Sequence, residues 1–263
     1  MSEQRGNLMA TAKPANCLNC KTEMAGSFCS LCGQRDIGAR LNSNLLFSLF
    51  FEALTEFDSR FWRTLRKLAV NPGAVALSYI QGSRANFINP IRFFFATFTI
   101  YIALSALTGA MAAIANRAII IGDTSSASEH TLLFANEVRT TLASQVDLII
   151  FLVIPVFALL IRWQYWRANR NYAETLCFIS FVFGMGYLLA IPILLAQYGL
   201  QEFSTGPKNM IIFVFFVIGA RSFFEMNWLK SIIGSTISAV IYGFLSFAST
   251  SAITIIRLWW LGL

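Results

Sequence analysis

Apolar positions along this chain follow two rhythms. From about residue 92 onward they come in long runs parted by short polar stretches. Ahead of that they recur three and four residues apart, the spacing of one helix face. A membrane span needs about 20 mostly apolar residues, rising 1.5 Å each, to cross roughly 30 Å. Five stretches are expected to cross: 92–115, 146–163, 175–198, 208–223 and 231–256. The second is expected to kink at Pro155, and the third holds Gly184, Gly186 and Pro192. The fourth is short. Small residues recur every four positions at Ser105, Gly109 and Ala113, and again at Ser231, Ser235, Ala239 and Gly243. Such stripes let helix backbones approach closely. A pore lined by Ser238, Tyr242, Ser246 and Thr250 is the other reading of that last face. No span carries a charged side chain in its middle, which argues against a proton-driven pump.

The helical rhythm occupies residues 44–71. Phe50, Leu54, Phe57, Phe61, Leu65 and Leu68 fall on one stripe; Arg60, Arg63 and Lys67 fall on another, with Arg66 beside them. Ser43 can cap the start, and Asn71-Pro72-Gly73 ends the helix. A basic amphipathic helix rich in Phe and Trp lies naturally in the membrane interface. Alternatively its apolar face packs on the bundle, and both can hold for different parts. Residues 74–82 predict a second short helix closed by Gly82. Residues 83–90 form a turn-rich bridge whose Asn89-Pro90 lets the first span begin.

Composition sharpens this picture. Of 263 residues, 56% are hydrophobic and only 13% charged, too little polar surface to coat a water-soluble globule. Residues 1–92 hold 11 Lys+Arg against 6 Asp+Glu, a net of +5, and the remainder holds 9 against 7. With spans attached, a basic front points to anionic headgroups rather than to nucleic acid. Arg60, Arg63, Arg66 and Lys67 are the candidate lipid or phosphate contacts, and Arg84 and Arg92 extend the set toward the first span.

Four cysteines give the sharpest local signal. Cys17-Leu-Asn-Cys20 and Cys29-Ser-Leu-Cys32 stand in a C-x2-C-x8-C-x2-C arrangement. Each pair sits on a tight turn, and two turns supply the four sulfurs that a tetrahedral Zn²⁺ accepts at about 2.3 Å. Gly33 follows Cys32 where such a turn often needs positive φ, and Gly26 suits the connection. A single iron or thiol redox chemistry are the alternatives. With four cysteine ligands no coordination position stays open, so the site is structural rather than catalytic. Cys177, alone in an apolar stretch, is a core residue.

Residues 1–16 are polar, lack the apolar run of a secretory signal and are expected to be disordered. The chain holds no nucleophile elbow, Walker loop, zinc-protease helix or dinucleotide fingerprint. His130, the single histidine, falls in the loop 116–145. Glu174 near Arg162, Arg167 and Arg170, and Glu225 between Arg221 and Lys230, are either phosphate-headgroup clusters or ordinary flanking charge.

Taken in order, several motifs carry a resemblance: Phe28-Cys29-Ser30-Leu31-Cys32-Gly33-Gln34; Phe57-Asp58-Ser59-Arg60-Phe61 with Thr64-Leu65 and Leu68; Asn71-Pro72-Gly73; Tyr79-Ile80-Gln81-Gly82-Ser83-Arg84; and Asn89-Pro90-Ile91-Arg92-Phe93. The chain resembles an uncharacterised family of bacterial inner-membrane proteins, a domain of unknown function with a cysteine ribbon ahead of several spans. Ser83 and Phe87 stand where that family is expected to carry Lys and Tyr. The resemblance implies an architecture and no activity.

The fold expected is an all-α membrane protein with about five transmembrane helices. A disordered stretch spans 1–16, a zinc ribbon 17–40, amphipathic interfacial helices 41–91 and the transmembrane bundle 92–263. The function expected is that of a non-enzymatic adaptor or membrane-surface sensor, with a protein partner at the ribbon and self-association as a further option. A transporter, channel or lipid handler, with Pro155, Gly184, Gly186 and Pro192 breaking helices around a path, is the alternative. Least favoured is an intramembrane enzyme. Basic residues place the N-terminus in the cytoplasm and the C-terminus in the periplasm, since 16 of the 20 Lys+Arg then fall inside.

Overall fold

A computed structural model describes residues 16–24, 26–34, 60–110, 113 and 153–261. Among these residues there are seven helices and no strand. They are α1 (Arg60–Val70), α2 (Pro72–Ile80), α3 (Pro90–Leu107), α4 (Val153–Gln164), α5 (Tyr172–Leu200), α6 (Gly206–Phe223) and α7 (Trp228–Leu261). Among the described residues the fold is all-helical, and its apolar helices fit a membrane protein. Four helical stretches are long and apolar enough to cross a bilayer: Arg84–Leu107, Tyr172–Leu200, Gly206–Phe223 and Trp228–Ile256. The expected second span is described from Val153 only. Its first part, the loop holding His130, most of residues 1–16, the half of the amphipathic stretch before Arg60 and the small residue Ala113's immediate neighbours lie outside the described residues.

Asparagine sets where the helices begin. Asn71 Oδ1 accepts from Ala74 N at 3.1 Å, with Pro72 next in the first helical turn. Asn89 repeats the device, accepting from Ile91 N at 3.0 Å ahead of Pro90. Proline is cheap there because the first N–H groups of a helix lack partners anyway. Asn71-Pro72-Gly73 therefore both ends α1 and starts α2, so α2 begins at Pro72 and not at 74. Likewise the first span begins at Pro90 rather than 92. It also ends early: Gly109 takes a left-handed φ of +68° and closes the helix after Leu107, not at 115. Nothing packs where a Cβ of Gly109 would stand, so this glycine is a helix stop and not part of a packing stripe.

The apolar face of α1 turns inward. Leu68 and Thr64 are buried, Phe61 and Leu65 pack on the core, and Arg63, Arg66 and Lys67 stay exposed. Thr64 Oγ1 accepts from Ile88 N at 3.0 Å, tying α1 to the bridge ahead of α3. Of the two expectations for this stripe, the described half packs on the bundle.

At the centre stands α5, buried on nearly all sides from Ala173 to Tyr187. It packs most extensively on α3 and α6, and also touches α2. Its glycines serve those contacts. A Cβ at Gly184 would meet the Phe93 ring at 2.7 Å, and one at Gly186 would overlap Ile212. Aromatic rings fill the rest: Phe98 meets Tyr187 at 5.1 Å, and Phe178 stacks on Phe223 at 4.7 Å. The helix runs unbroken through Gly184, Gly186 and Pro192. The expected breaks around a transport path are absent from it, because tight interhelical contact is what these glycines provide. Gly206–Phe223 is likewise one continuous helix, in keeping with a crossing rather than a re-entrant segment. The least covered helix is α7, with Val240, Phe244, Phe247, Trp259 and Trp260 exposed.

Candidate metal centre

Two turns of the same design bring the four cysteines together. In the first, Cys17 N donates to Thr22 O at 2.8 Å and Lys21 N to Cys17 O at 2.9 Å. In the second, Cys29 N donates to Gln34 O at 2.9 Å and Gly33 N to Cys29 O at 2.9 Å. Both need a left-handed residue after the second cysteine: Lys21 at φ +65° and Gly33 at φ +69°. The sequence pattern marks the glycine and hides the lysine, since only the former is the usual residue for that conformation.

All four Sγ atoms lie within 4.8 Å of one another. Cys17 Sγ stands 3.6 Å from Cys32 Sγ, and Cys20 Sγ 3.4 Å from Cys29 Sγ. Tetrahedral ligands at about 2.3 Å from an ion are about 3.8 Å apart, so the residues fit a tetrahedral metal. No disulfide joins them, and Cys17 and Cys29 are buried. The side chain of Thr22, followed by its backbone, hydrogen-bonds to the Cys20 sulfur and lowers that thiol to about 6, well below its ordinary value. A group poised as thiolate is the form that a metal takes up.

The ribbon is seated on the bundle. Gln34 uses both ends of its amide: Nε2 donates to Gly82 O, and Oε1 accepts from Ala85 N at 3.1 Å. Asn86 Nδ2 donates to Asn19 Oδ1. Leu18 lies over Gly82, where a Cβ would stand 2.5 Å from the Leu18 Cβ. Gly82 also holds φ +114°, a region closed to ordinary side chains. The bridge between α2 and α3 is thus a dock for both metal turns. The sequence contains Gln34 and Gly82 inside its motifs, but no spacing rule pairs residues 48 apart.

The basic residues do not form one cluster. Arg66 and Lys67 line a groove of about 380 Å³ between α1 and α2, with the Lys67 ammonium 5.1 Å over the Phe87 ring. Arg63 Nη1 donates to Asn86 Oδ1 at 3.3 Å, beside the dock. Arg60, Arg84 and Arg92 are half-buried. The two carboxylates considered for headgroup clusters have other duties. Buried Glu174 accepts from Asn171 N at 3.0 Å while Asn171 Oδ1 accepts from Glu174 N at 2.9 Å, a reciprocal cap at the start of α5. Glu225 pairs with Arg170 at 2.9 Å, and Arg221 lies 4.4 Å over the Trp228 ring.

Comparison with curated proteins and with solved structures returned no match. Residues 58–102, which run from the approach to α1 through the ribbon's dock and into α3, match the model of a family described as "Protein of unknown function (DUF3667)".

Proposed function

We propose that this chain is a multi-pass protein of the bacterial inner membrane whose zinc-filled ribbon, seated at the cytoplasmic entrance of the first span, receives a protein partner. It is an adaptor or surface sensor and not an enzyme. One observation carries this reading. The ribbon's polar side is spent on the dock, while Phe28 and Leu31 stand 61% and 72% exposed on its free side. Apolar side chains left in water beside a rigid metal knot are what a partner's surface would cover. Zinc is the metal favoured by four thiolates with no open position, as it neither needs further ligands nor cycles in redox state. Arg63, Arg66 and Lys67, exposed beside the dock, are the residues favoured for anionic headgroups, each worth about 1 kcal/mol near a charged leaflet. The six residues Arg60 through Arg92 named from sequence remain the lipid-contact set in this reading, with these three at its centre.

A photoreactive amino acid placed at Leu31 in the full chain tests the partner surface in cells. A discrete protein adduct, lost in Phe28→Ser and in Cys29→Ser, is the expected result. Adducts that persist unchanged in both variants would remove the ribbon face from the account.

A further inference from the structure

Within the lipid-contact set named above, on which this site rests, we propose that the groove between α1 and α2 holds one anionic phospholipid, its phosphate taken by Arg66 and Lys67 and its glycerol end resting on Phe87.

The α1 wall follows from helical spacing. Trp62, Arg66 and Val70 recur every four residues and form one ridge, and Arg63 and Lys67 form the next. Trp62 and Val70, at either end of the first ridge, are 70% and 77% exposed. A cation set between two apolar side chains in the open suits the zone where headgroups meet hydrocarbon, and Trp is a usual anchor there. The α2 wall brings Ala74 and, one turn on, the hydroxyl-bearing Ser78. Buried Val75 and Phe87 form an apolar floor.

Charge states what the groove takes. Its volume of about 380 Å³ lies in the range of small-molecule sites, about 300–1,000 Å³, and no lining residue is acidic. Among the described residues neither Arg66 nor Lys67 makes an ion pair. The Phe87 ring, 5.1 Å beneath the Lys67 ammonium, orients that cation without neutralising it. Two like charges at adjacent helix positions repel, and one anion held by both removes the repulsion. Phosphate suits the pair, since it accepts the forked donors of Arg and the point charge of Lys. Arg63, on the same helix, does not line the groove; its Nη1 donates to Asn86 Oδ1 instead.

The position favours a lipid over a free ion. Phe87 belongs to Arg84–Leu107, the first stretch apolar enough to cross a bilayer. The groove therefore opens where the chain enters the membrane, at the level of headgroup phosphates. Its apolar floor gains nothing from a hydrated inorganic ion but is covered by the glycerol and first methylenes of a lipid. A zwitterionic lipid carries its own ammonium, which these two cations repel, so the class is anionic.

The test is native mass spectrometry of the full chain in a neutral detergent, with phosphatidylglycerol and phosphatidylcholine of the same acyl chains added in equal amounts. The parent should hold one phosphatidylglycerol where phosphatidylcholine adducts are scarce. Arg66→Gln and Lys67→Gln should each weaken that adduct roughly fivefold, the worth of one basic residue near an anionic surface. Ala74→Trp, which fills the groove and keeps every charge, should weaken it at least as much. Arg63→Gln, which removes a charge outside the groove, should leave it close to the parent's. Equal losses in Arg63→Gln and Lys67→Gln, with none in Ala74→Trp, would overturn the groove and leave the broader lipid-contact set standing. A parent with no preference for phosphatidylglycerol would remove both. Inorganic phosphate that empties the site where chloride of equal ionic strength does not would also overturn the proposal, because a free ion would then be the ligand.

Discussion

Gly73 and Gly219 bring the backbones of α2 and α6 into direct contact, leaving no room for a Cβ on Gly73 against the Gly219 carbonyl. The same Gly73 Cβ would stand 3.0 Å from Phe223 N, and one on Gly219 would stand 2.7 Å from the Phe178 ring. The short helix after Asn71-Pro72 is therefore a wedge in the bundle. Asn71 Nδ2 fastens it further, donating to Ser222 Oγ at 2.8 Å. Gly73→Ala should cost about 1–3 kcal/mol through overpacking. In detergent the variant's melting midpoint should fall clearly, while Gly243→Ala, placed in open space, should leave it within error. Equal midpoints for Gly73→Ala and the parent would show that this contact is not closed in solution.

Seating of the ribbon should depend on Gln34. Gln34→Ala removes both bonds to the bridge and leaves Gly82 O and Ala85 N without that partner, a cost of about 1–3 kcal/mol. Limited proteolysis should then cut between Cys32 and Arg60 faster, with the bundle's own melting little changed. Gly82→Ala should act in the same direction and more strongly, as it strains φ and strikes Leu18. Unaltered cleavage in both variants would contradict the dock.

Metal retention should weaken in acid, because protons compete with the metal for the thiolates. The Cys20 thiol is lowered to about 6 by Thr22, so before metal binds its thiolate is favoured above that pH and lost as pH falls through it. Thr22→Val removes the first of these hydrogen bonds and should move metal release, followed with a colorimetric chelator, to higher pH. A release curve indifferent to this substitution would assign the acid limit to another ligand.

Exposed Arg63, Arg66 and Lys67 should recruit anionic lipid. In nanodiscs of mixed composition, the Arg63→Gln, Arg66→Gln, Lys67→Gln triple variant should retain less phosphatidylglycerol than the parent. The difference should shrink as salt rises, because exposed charges are screened within roughly 10 Å at 0.1 M. Equal retention at low salt would remove these residues from the lipid-contact set.

Much of this architecture is legible in the chain because two of its signals are periodic and local. Runs of about 20 apolar residues mark the spans, and paired C-x2-C turns mark the metal site. What escapes is whatever depends on a distant partner. Asn71-Pro72-Gly73 reads as a helix stop, and only the position of Gly219 shows that the glycine is there for contact. Gly109 reads as part of a stripe, but left-handed φ makes it a terminus. Gly184 and Gly186 read equally well as hinges or as contacts, and Phe93 and Ile212 decide for contact. Glu174 beside arginines reads as a headgroup site, whereas its carboxylate caps its own helix. The dock joins Gln34 to Gly82 across 48 residues, beyond the reach of any spacing rule.

One metal ion held by the four cysteines is expected to build the ribbon that sits at the entrance to the first span. Elemental analysis of the purified full chain tests it most directly, with Cys17→Ser and Cys29→Ser measured alongside. One zinc per chain in the parent, and loss of zinc with an inserted bundle in both variants, is the expected result. A parent that carries no metal, or one iron in place of zinc, would contradict it.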